Sequence, residues 1–262
     1  MIQRIAILLL LGRVLLPAQT DSPVVGVGPF LHIVSDLDQS LDFYHGQLGL
    51  EIARPPGDKL TDDPAVANLY GVPGKQFRAA VLKIPGSDMG IELVQWGEAR
   101  TPKGGAIEGT GTVTLTIFQA EAVPDDNLLH DPDGFPVQVV QRDTPGAFLD
   151  IAVKDLPATV ALYTKIFRWN ADGNWLSVPG GSLRIHLSRD KGGAGVNPVF
   201  PEPGRGMLRL QVRNIDAVTA ALQNAKLSII TTGGVPVTLS QGPRVIILRD
   251  PNNFYLQPME AR

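Results

Sequence analysis

The residues best suited to chemistry lie on stretches that read as β-strands. Arg184 and His186 alternate along one of them, Asp150 lies on another, and Arg209, Gln211 and Gln257 hold polar positions on two more. Side chains two residues apart on a strand share a face, so Arg184 and His186 point the same way. Imidazole titrates near neutral pH, which makes His186 the candidate for acid–base catalysis, tuned by Asp150 or by the carboxylate of a substrate. The guanidinium groups of Arg184 and Arg209 suit a polar or anionic ligand, with Gln211 and Gln257 beside them and Phe148 and Met207 as apolar wall. Asp150 and Arg209 admit two readings, a ligand-binding pair or an ion pair that neutralises itself. Of the other histidines, His45 falls on the exposed side of a helix, His130 in a loop and His32 on an opening strand.

Composition removes several classes of function. With no cysteine, the chain has no disulfide, thiolate nucleophile or cysteine-ligated zinc or iron–sulfur site. A net charge of -3 without a dense Lys/Arg run gives no attraction for nucleic acid or an anionic membrane. Gly104-Gly105 and Gly192-Gly193 lack the strand-to-helix setting of a phosphate loop or dinucleotide fingerprint, and no serine elbow of the lipase type occurs. Met1 to Arg4 and the apolar run from Ile5 to Leu16 read as a secretory signal peptide over residues 1–20, too short to span a membrane. The chain is therefore expected to be exported, to the periplasm or outside the cell.

Positioning the polar residues falls to a strand–helix unit that recurs. After a strand to Val34 and the capping candidates Ser35 and Asp36, Leu37, Leu41, Tyr44 and Leu48 share one helical face, and Gly49 ends the helix. The same face returns after Asp155 as Leu156, Val160, Tyr163 and Phe167. Strands at 50–53, 77–84 and 89–96 complete the first unit, with a Pro/Gly/Asp-rich loop between the first two. A second unit opens at 112–118 and closes at 135–141, but the 119–134 interval is too short for a helix and two strands, so this unit is truncated. A third spans 147–188 and a fourth 207–259, including a helix at 215–225.

Asp36-Leu37, Ser40-Leu41, Phe43-Tyr44 and Leu48-Gly49-Leu50, with the Asp131-Pro132 and Asp250-Pro251 turns before closing strands, resemble the vicinal oxygen chelate superfamily. That superfamily includes glyoxalase I, bleomycin resistance proteins and extradiol dioxygenases. The resemblance runs over nearly all of 24–260 and implies an α+β fold: paired βαβββ modules forming curved mixed sheets around a cavity, in four copies with the second truncated. It implies two glyoxalase-like domains, 24–143 and 146–262, and metal ligands on the first and last strands of each module. In metal-binding members the first-strand ligand is a histidine seven residues before the helix-opening aspartate. Here those places hold Pro29 and Phe148, with Thr112 and Met207 in the other two units. Glu92 stands where a glutamate ligand would, and Gln138 and Gln257 stand in the matching places of the second and fourth units. His32 is offset by an odd number, so alternation puts it on the helix-facing row with Phe30 and Val34, as a buried, hydrogen-bonded histidine.

The cavity rows that follow are Leu31, Ile33, Thr112, Thr114, Thr116, Glu92 and Gln138 in the first half. In the second they are Phe148, Asp150, Arg184, His186, Met207, Arg209, Gln211 and Gln257, where Asp150 and Arg209 would meet across paired first strands. The expected function is binding of a small polar or anionic molecule without a cofactor. The alternative is a metal-dependent lyase, isomerase or dioxygenase with a divalent metal at His32, Glu92 and Gln138. Whether the chain is an enzyme, and its oligomeric state, stay open.

Overall fold

The computed structural model describes residues 22–102, 104–120, 128–192, 198–240 and 242–261, so the signal-peptide reading of 1–20 lies outside it. Strand β1 (Val24–Val34) runs into helix α1 (Leu37–Leu41). Asp36 caps this helix by itself, accepting the N–H groups of Asp38 and Gln39 that the first turn leaves unpaired. Ser35 donates its own N–H to Asp133 Oδ2 at 2.8 Å instead of capping. The helix widens into a π turn over Asp42–Gln47, and Gly49, at φ +71, ends it. Strands β2 (Glu51–Arg54), β3 (Phe77–Lys83) and β4 (Ile91–Trp96) complete the unit. Between β2 and β3 the structure has a short helix, α2 (Pro64–Leu69), in what reads from sequence as loop, capped by Asp63 with proline in its first turn.

The second unit comprises β5 (Val113–Gln119), the short β6 (Leu128–His130) and β7 (Pro136–Gln141), with no helix among the described residues. The third holds β8 (Gly146–Val153), α3 (Leu156–Phe167), β9 (Asn170–Asp172), β10 (Trp175–Ser177) and β11 (Arg184–Arg189). The fourth holds β12 (Gly206–Val212), α4 (Ile215–Asn224), β13 (Ser228–Ile229), β14 (Val237–Thr238), β15 (Arg244–Val245), β16 (Leu248–Arg249) and β17 (Tyr255–Glu260).

Two mixed sheets result, and they do not follow chain order. A 10-stranded sheet joins the first and fourth units, with β1 antiparallel to β12, and a 7-stranded sheet joins the second and third, with β5 antiparallel to β8. In every unit the opening strand runs parallel to the closing strand. Each sheet therefore draws strands from both sides of the boundary between 24–143 and 146–262. All four opening strands carry the same alternation, so local pattern permits any two to pair, and the packing of whole units selects which do.

Units adjacent in the chain meet through the helix-facing sides of the sheets. Phe30 and Val34, then Val113, Leu115 and Ile117, then Leu149, Ile151 and Val153, then Leu208, Leu210 and Val212 belong to one core, as alternation requires. Two equivalent clamps tie it together. The Tyr44 hydroxyl donates to Asp131 Oδ2 at 3.2 Å, and the Tyr163 hydroxyl donates to Asp250 Oδ2 at 2.9 Å. Burial first, and the neighbouring aspartate second, raise the pKa of both phenols and keep them as donors. Each turn also offers an oxygen to the N–H just ahead of a helix cap, Asp133 to Ser35 and Asn252 to Lys154.

Candidate functional site

The concave side of the 10-stranded sheet holds a partly covered cavity of about 410 Å³, roofed by residues between Arg54 and Tyr70 that include α2. Parallel pairing sets Glu92 beside Leu31 and Gln257 beside Arg209, and the β1–β12 ladder brings the two pairs together. Glu92 is held by two guanidinium groups, Arg209 Nη1 at 2.9 Å from Oε2 and Arg54 Nη2 at 2.6 Å from Oε1. Arg209 Nε donates to Gln257 Oε1 at 2.8 Å, and Gln257 Nε2 donates to the Tyr70 hydroxyl at 3.1 Å. Burial disfavours the charge on Arg209, but Glu92 and Tyr70 outweigh it and the pKa of Arg209 is raised; that of Tyr70 is raised chiefly by burial. Leu31, Phe77, Val94, Trp96 and Met259 form the apolar walls. Gly28 makes room for this arrangement: a Cβ there would stand 2.8 Å from Arg209 Cδ, so the arginine stem can lie across β1 only over glycine.

Among the described residues, the concave side of the 7-stranded sheet is more open. His186 Nδ1 lies 2.6 Å from Asp150 Oδ2, and the Ser188 hydroxyl donates to the other oxygen. The side chains of His186 and Asp150 are 30% and 27% exposed. Trp175 packs against His186 at 4.7 Å and against Phe148 at 5.0 Å between ring centres, with the Arg184 guanidinium 4.5 Å above the indole. Phe118, Phe148, Trp175, Arg142 and Arg184 line a cleft of about 980 Å³.

The residues expected in one second-half cavity are thus divided. Met207, Arg209, Gln211 and Gln257 lie on the 10-stranded sheet, and Phe148, Asp150, Arg184 and His186 on the other. Asp150 and Arg209 do not meet, because β8 pairs with β5 and β12 with β1, and each finds its own partners. Met207 is sealed in an apolar cluster with Leu31 and Ile33, while Gln211 lies beside Gly26, farther along β12. Leu31, Asp150 and Arg209 stand five residues before the caps Asp36, Asp155 and Asn214, one repeat closer than the sequence positions Pro29, Phe148 and Met207. Thr112, Thr114, Thr116 and Gln138 belong with the second sheet, which separates Gln138 from Glu92. His32 is fully buried with Nε2 2.6 Å from Asp131 Oδ2, on the helix-facing side. Sequence reading missed Arg54, Tyr70 and Trp96, which complete the cavity. The one local signal was Asp63-Pro64, a cap followed by a first-turn proline, submerged in Pro/Gly/Asp-rich chain.

No family model and no curated protein matches the sequence. Solved structures do match: glyoxalase I from Zea mays aligns over 92% of this chain and 92% of its own, with 14% identity and a TM-score of 0.60. A putative dioxygenase from Bacillus subtilis aligns over 92% of this chain and 86% of its own, with 14% identity and a TM-score of 0.52. The fold is that of the vicinal oxygen chelate proteins. Within that fold a divalent metal needs three or four oxygen or nitrogen ligands converging from one cavity. The candidates His32, Glu92 and Gln138 do not converge: His32 faces the core, Gln138 is on the other sheet, and two guanidinium cations already occupy Glu92. Among the described residues no group of three His, Asp or Glu side chains gathers to hold a metal.

Proposed function

We propose that the chain binds a small anionic molecule with an apolar body in the covered cavity, through guanidinium groups instead of a divalent metal. The observation that carries this reading is the pair of guanidinium groups, Arg54 and Arg209, that converge on the single carboxylate of Glu92 in the lining; Arg78, also in the lining, is neutralised by Asp38. The acceptors on the floor are engaged, Glu92 by two arginines and Gln257 Oε1 by Arg209. Donors are left in surplus, including Trp96 Nε1, which is buried without a partner. An anionic oxygen supplies the missing acceptors as charge-assisted bonds, and Tyr70, Phe77 and Trp96 supply a flat apolar wall. A volume of about 410 Å³ suits a small molecule.

The test combines elemental analysis of protein purified without chelators with thermal-shift and calorimetric titration of aromatic and aliphatic carboxylates and their amides. Carboxylates raise the melting temperature, the amides do not, and Arg54→Gln weakens binding about tenfold, the worth of one charged hydrogen bond. A stoichiometric transition metal lost on Glu92→Ala overturns the reading, as does equal binding of acids and amides.

A further inference from the structure

We infer that the cleft at the start of β8 is a second ligand site, separate from the covered cavity, and that it takes a flat aromatic molecule with an anionic group at each end. Three rings cross it in a row: Phe118 and Phe148 lie 5.8 Å apart between ring centres, and Phe148 and Trp175 lie 5.0 Å apart. All three are half-buried, so the row keeps apolar surface open to solvent. A guanidinium stands at each end, Arg142 4.2 Å from the centre of the Phe118 ring and Arg184 4.5 Å from that of Trp175. Arg54, Arg78, Arg209 and Arg244 each have a carboxylate partner, whereas among the described residues neither Arg142 nor Arg184 meets one. The lining holds a single carboxylate, Asp143, and it pairs with neither arginine.

This cleft is not a second copy of the covered cavity. The ladder steps that set Glu92 beside Leu31 and Gln257 beside Arg209 correspond on this sheet to His186 beside Asp150, and neither of those lines the cleft. It lies instead where three units meet, with Gly86 from the β3–β4 turn, Pro145 from ahead of β8 and Ser182 from ahead of β11 in its walls. A Cβ on Gly86 would stand 2.2 Å from the Pro145 carbonyl oxygen, so two of these turns are in direct backbone contact. The lining then defines the ligand. A guanidinium drawn to a ring face has part of its stem freedom already spent and still presents N–H donors, which carboxylates accept as charge-assisted pairs. Because the rings separate the two cations, one acid group reaches only one of them, and the site selects by length as well as by charge. The flat body rests on the row of rings, and a volume of about 980 Å³ admits a fused ring system.

Naphthalene-2,6-dicarboxylate is the probe, titrated by calorimetry into the full-length protein, with its diamide, naphthalene-2-carboxylate and the aliphatic suberate as controls. The titrations are repeated in Arg54→Gln, so that binding in the covered cavity is read separately and either site can fail without the other. The dicarboxylate is expected to bind Arg54→Gln with one-to-one stoichiometry, and the single acid about tenfold more weakly, the worth of one charged hydrogen bond. Suberate, which has the charges without the rings, is weaker by about fivefold or more, and the diamide shows no heat. Arg142→Gln and Arg184→Gln both exchange an exposed side chain, which leaves the fold intact, and each brings the dicarboxylate down to the level of the single acid. Trp175→Leu weakens it about fivefold, while His130→Gln changes nothing. Equal affinity for the dicarboxylate and the single acid overturns the proposal, as does dicarboxylate binding that survives both arginine exchanges. So does an acidic peptide or an oligothymidylate that binds more tightly than the dicarboxylate and loses affinity in the same two variants, because the cleft then serves a macromolecule.

Discussion

On the 10-stranded sheet Arg209 stands five residues before its helix cap and is buried against Glu92 and Gln257; on the 7-stranded sheet Asp150 stands at the same distance and supports a partly exposed His186. The frames behind the two faces correspond, down to the tyrosine clamps and the turn oxygens ahead of the caps. What differs is the cover. Ala67, Leu69 and Tyr70 from α2 and its end pack with Phe200 onto the first face, and the second unit has no helix among the described residues to do the same. Burial then dictates chemistry: under a cover every charge must be paired, which produces the Glu92–Arg209–Gln257–Tyr70 chain, with the exposed Arg54 reaching Glu92 from the rim, whereas water tolerates an imidazole with one edge unbonded.

The widest gap between the faces is expected from removing one cation. Arg209→Met keeps much of the volume but strands part of the Glu92 charge under the cover, and should cost about 3 kcal/mol in urea unfolding. Adding Glu92→Gln should recover most of that loss. Asp150→Asn on the open face should cost below about 1 kcal/mol, because solvent screens the exposed pair. Equal losses would show that cover does not govern the difference.

The clamps come next. Tyr163→Phe should cost about 2 kcal/mol, since it removes a hydrogen bond to a buried carboxylate whose pKa burial already raises. Tyr44→Phe should cost about 1 kcal/mol, because Asp131 keeps His32 at 2.6 Å. A reversed order, measured by denaturant midpoints, would show that His32 does not share the load at Asp131.

These pairs also mark where sequence reading stops. Alternation identified the core rows and the helix-facing placement of His32, because a strand has two faces and the pattern names one. It could not give depth along the strand, since positions two apart look alike, and so Met207, which is sealed in an apolar cluster, stood in the expected cavity row beside Arg209. Tyr44 and Tyr163 were legible as part of an apolar helix face. Their partners were not, because each lies 87 residues away and local pattern carries no information over that span. The choice of which units pair was hidden for the same reason, and it is what separates Asp150 from Arg209.

Gly28→Ala probes the floor of the covered face alone. The new methyl group meets the stem of Arg209, so the guanidinium must shift from Glu92 and Gln257, at a cost of about 1 kcal/mol and with weaker carboxylate binding. Ala147 holds the matching place before Asp155 on the other sheet, and Ala147→Gly should leave carboxylate binding in the covered cavity unchanged. If Gly28→Ala spares ligand affinity, Arg209 does not need that space.

The smallest effect concerns what fixes one sheet against the other. Asp88, between β3 and β4, accepts the N–H of Ser182 at 2.8 Å and its hydroxyl, just ahead of β11. Partial burial acts to raise the Asp88 pKa, but the bonds from Ser182 outweigh it and the pKa is lowered. A carboxylate whose folded pKa is below its unfolded value stabilises the fold fully above the unfolded value, about 4, and loses that contribution as pH falls through the folded one. Because Asp88 is largely open to solvent, the contribution should be about 0.5 kcal/mol or less. The stability difference between the native chain and Asp88→Asn, followed by urea unfolding from neutral pH to about 3, should therefore shrink toward acid. A difference that stays constant would mean that Ser182 holds the sheets together through geometry the amide reproduces, with no part played by the charge.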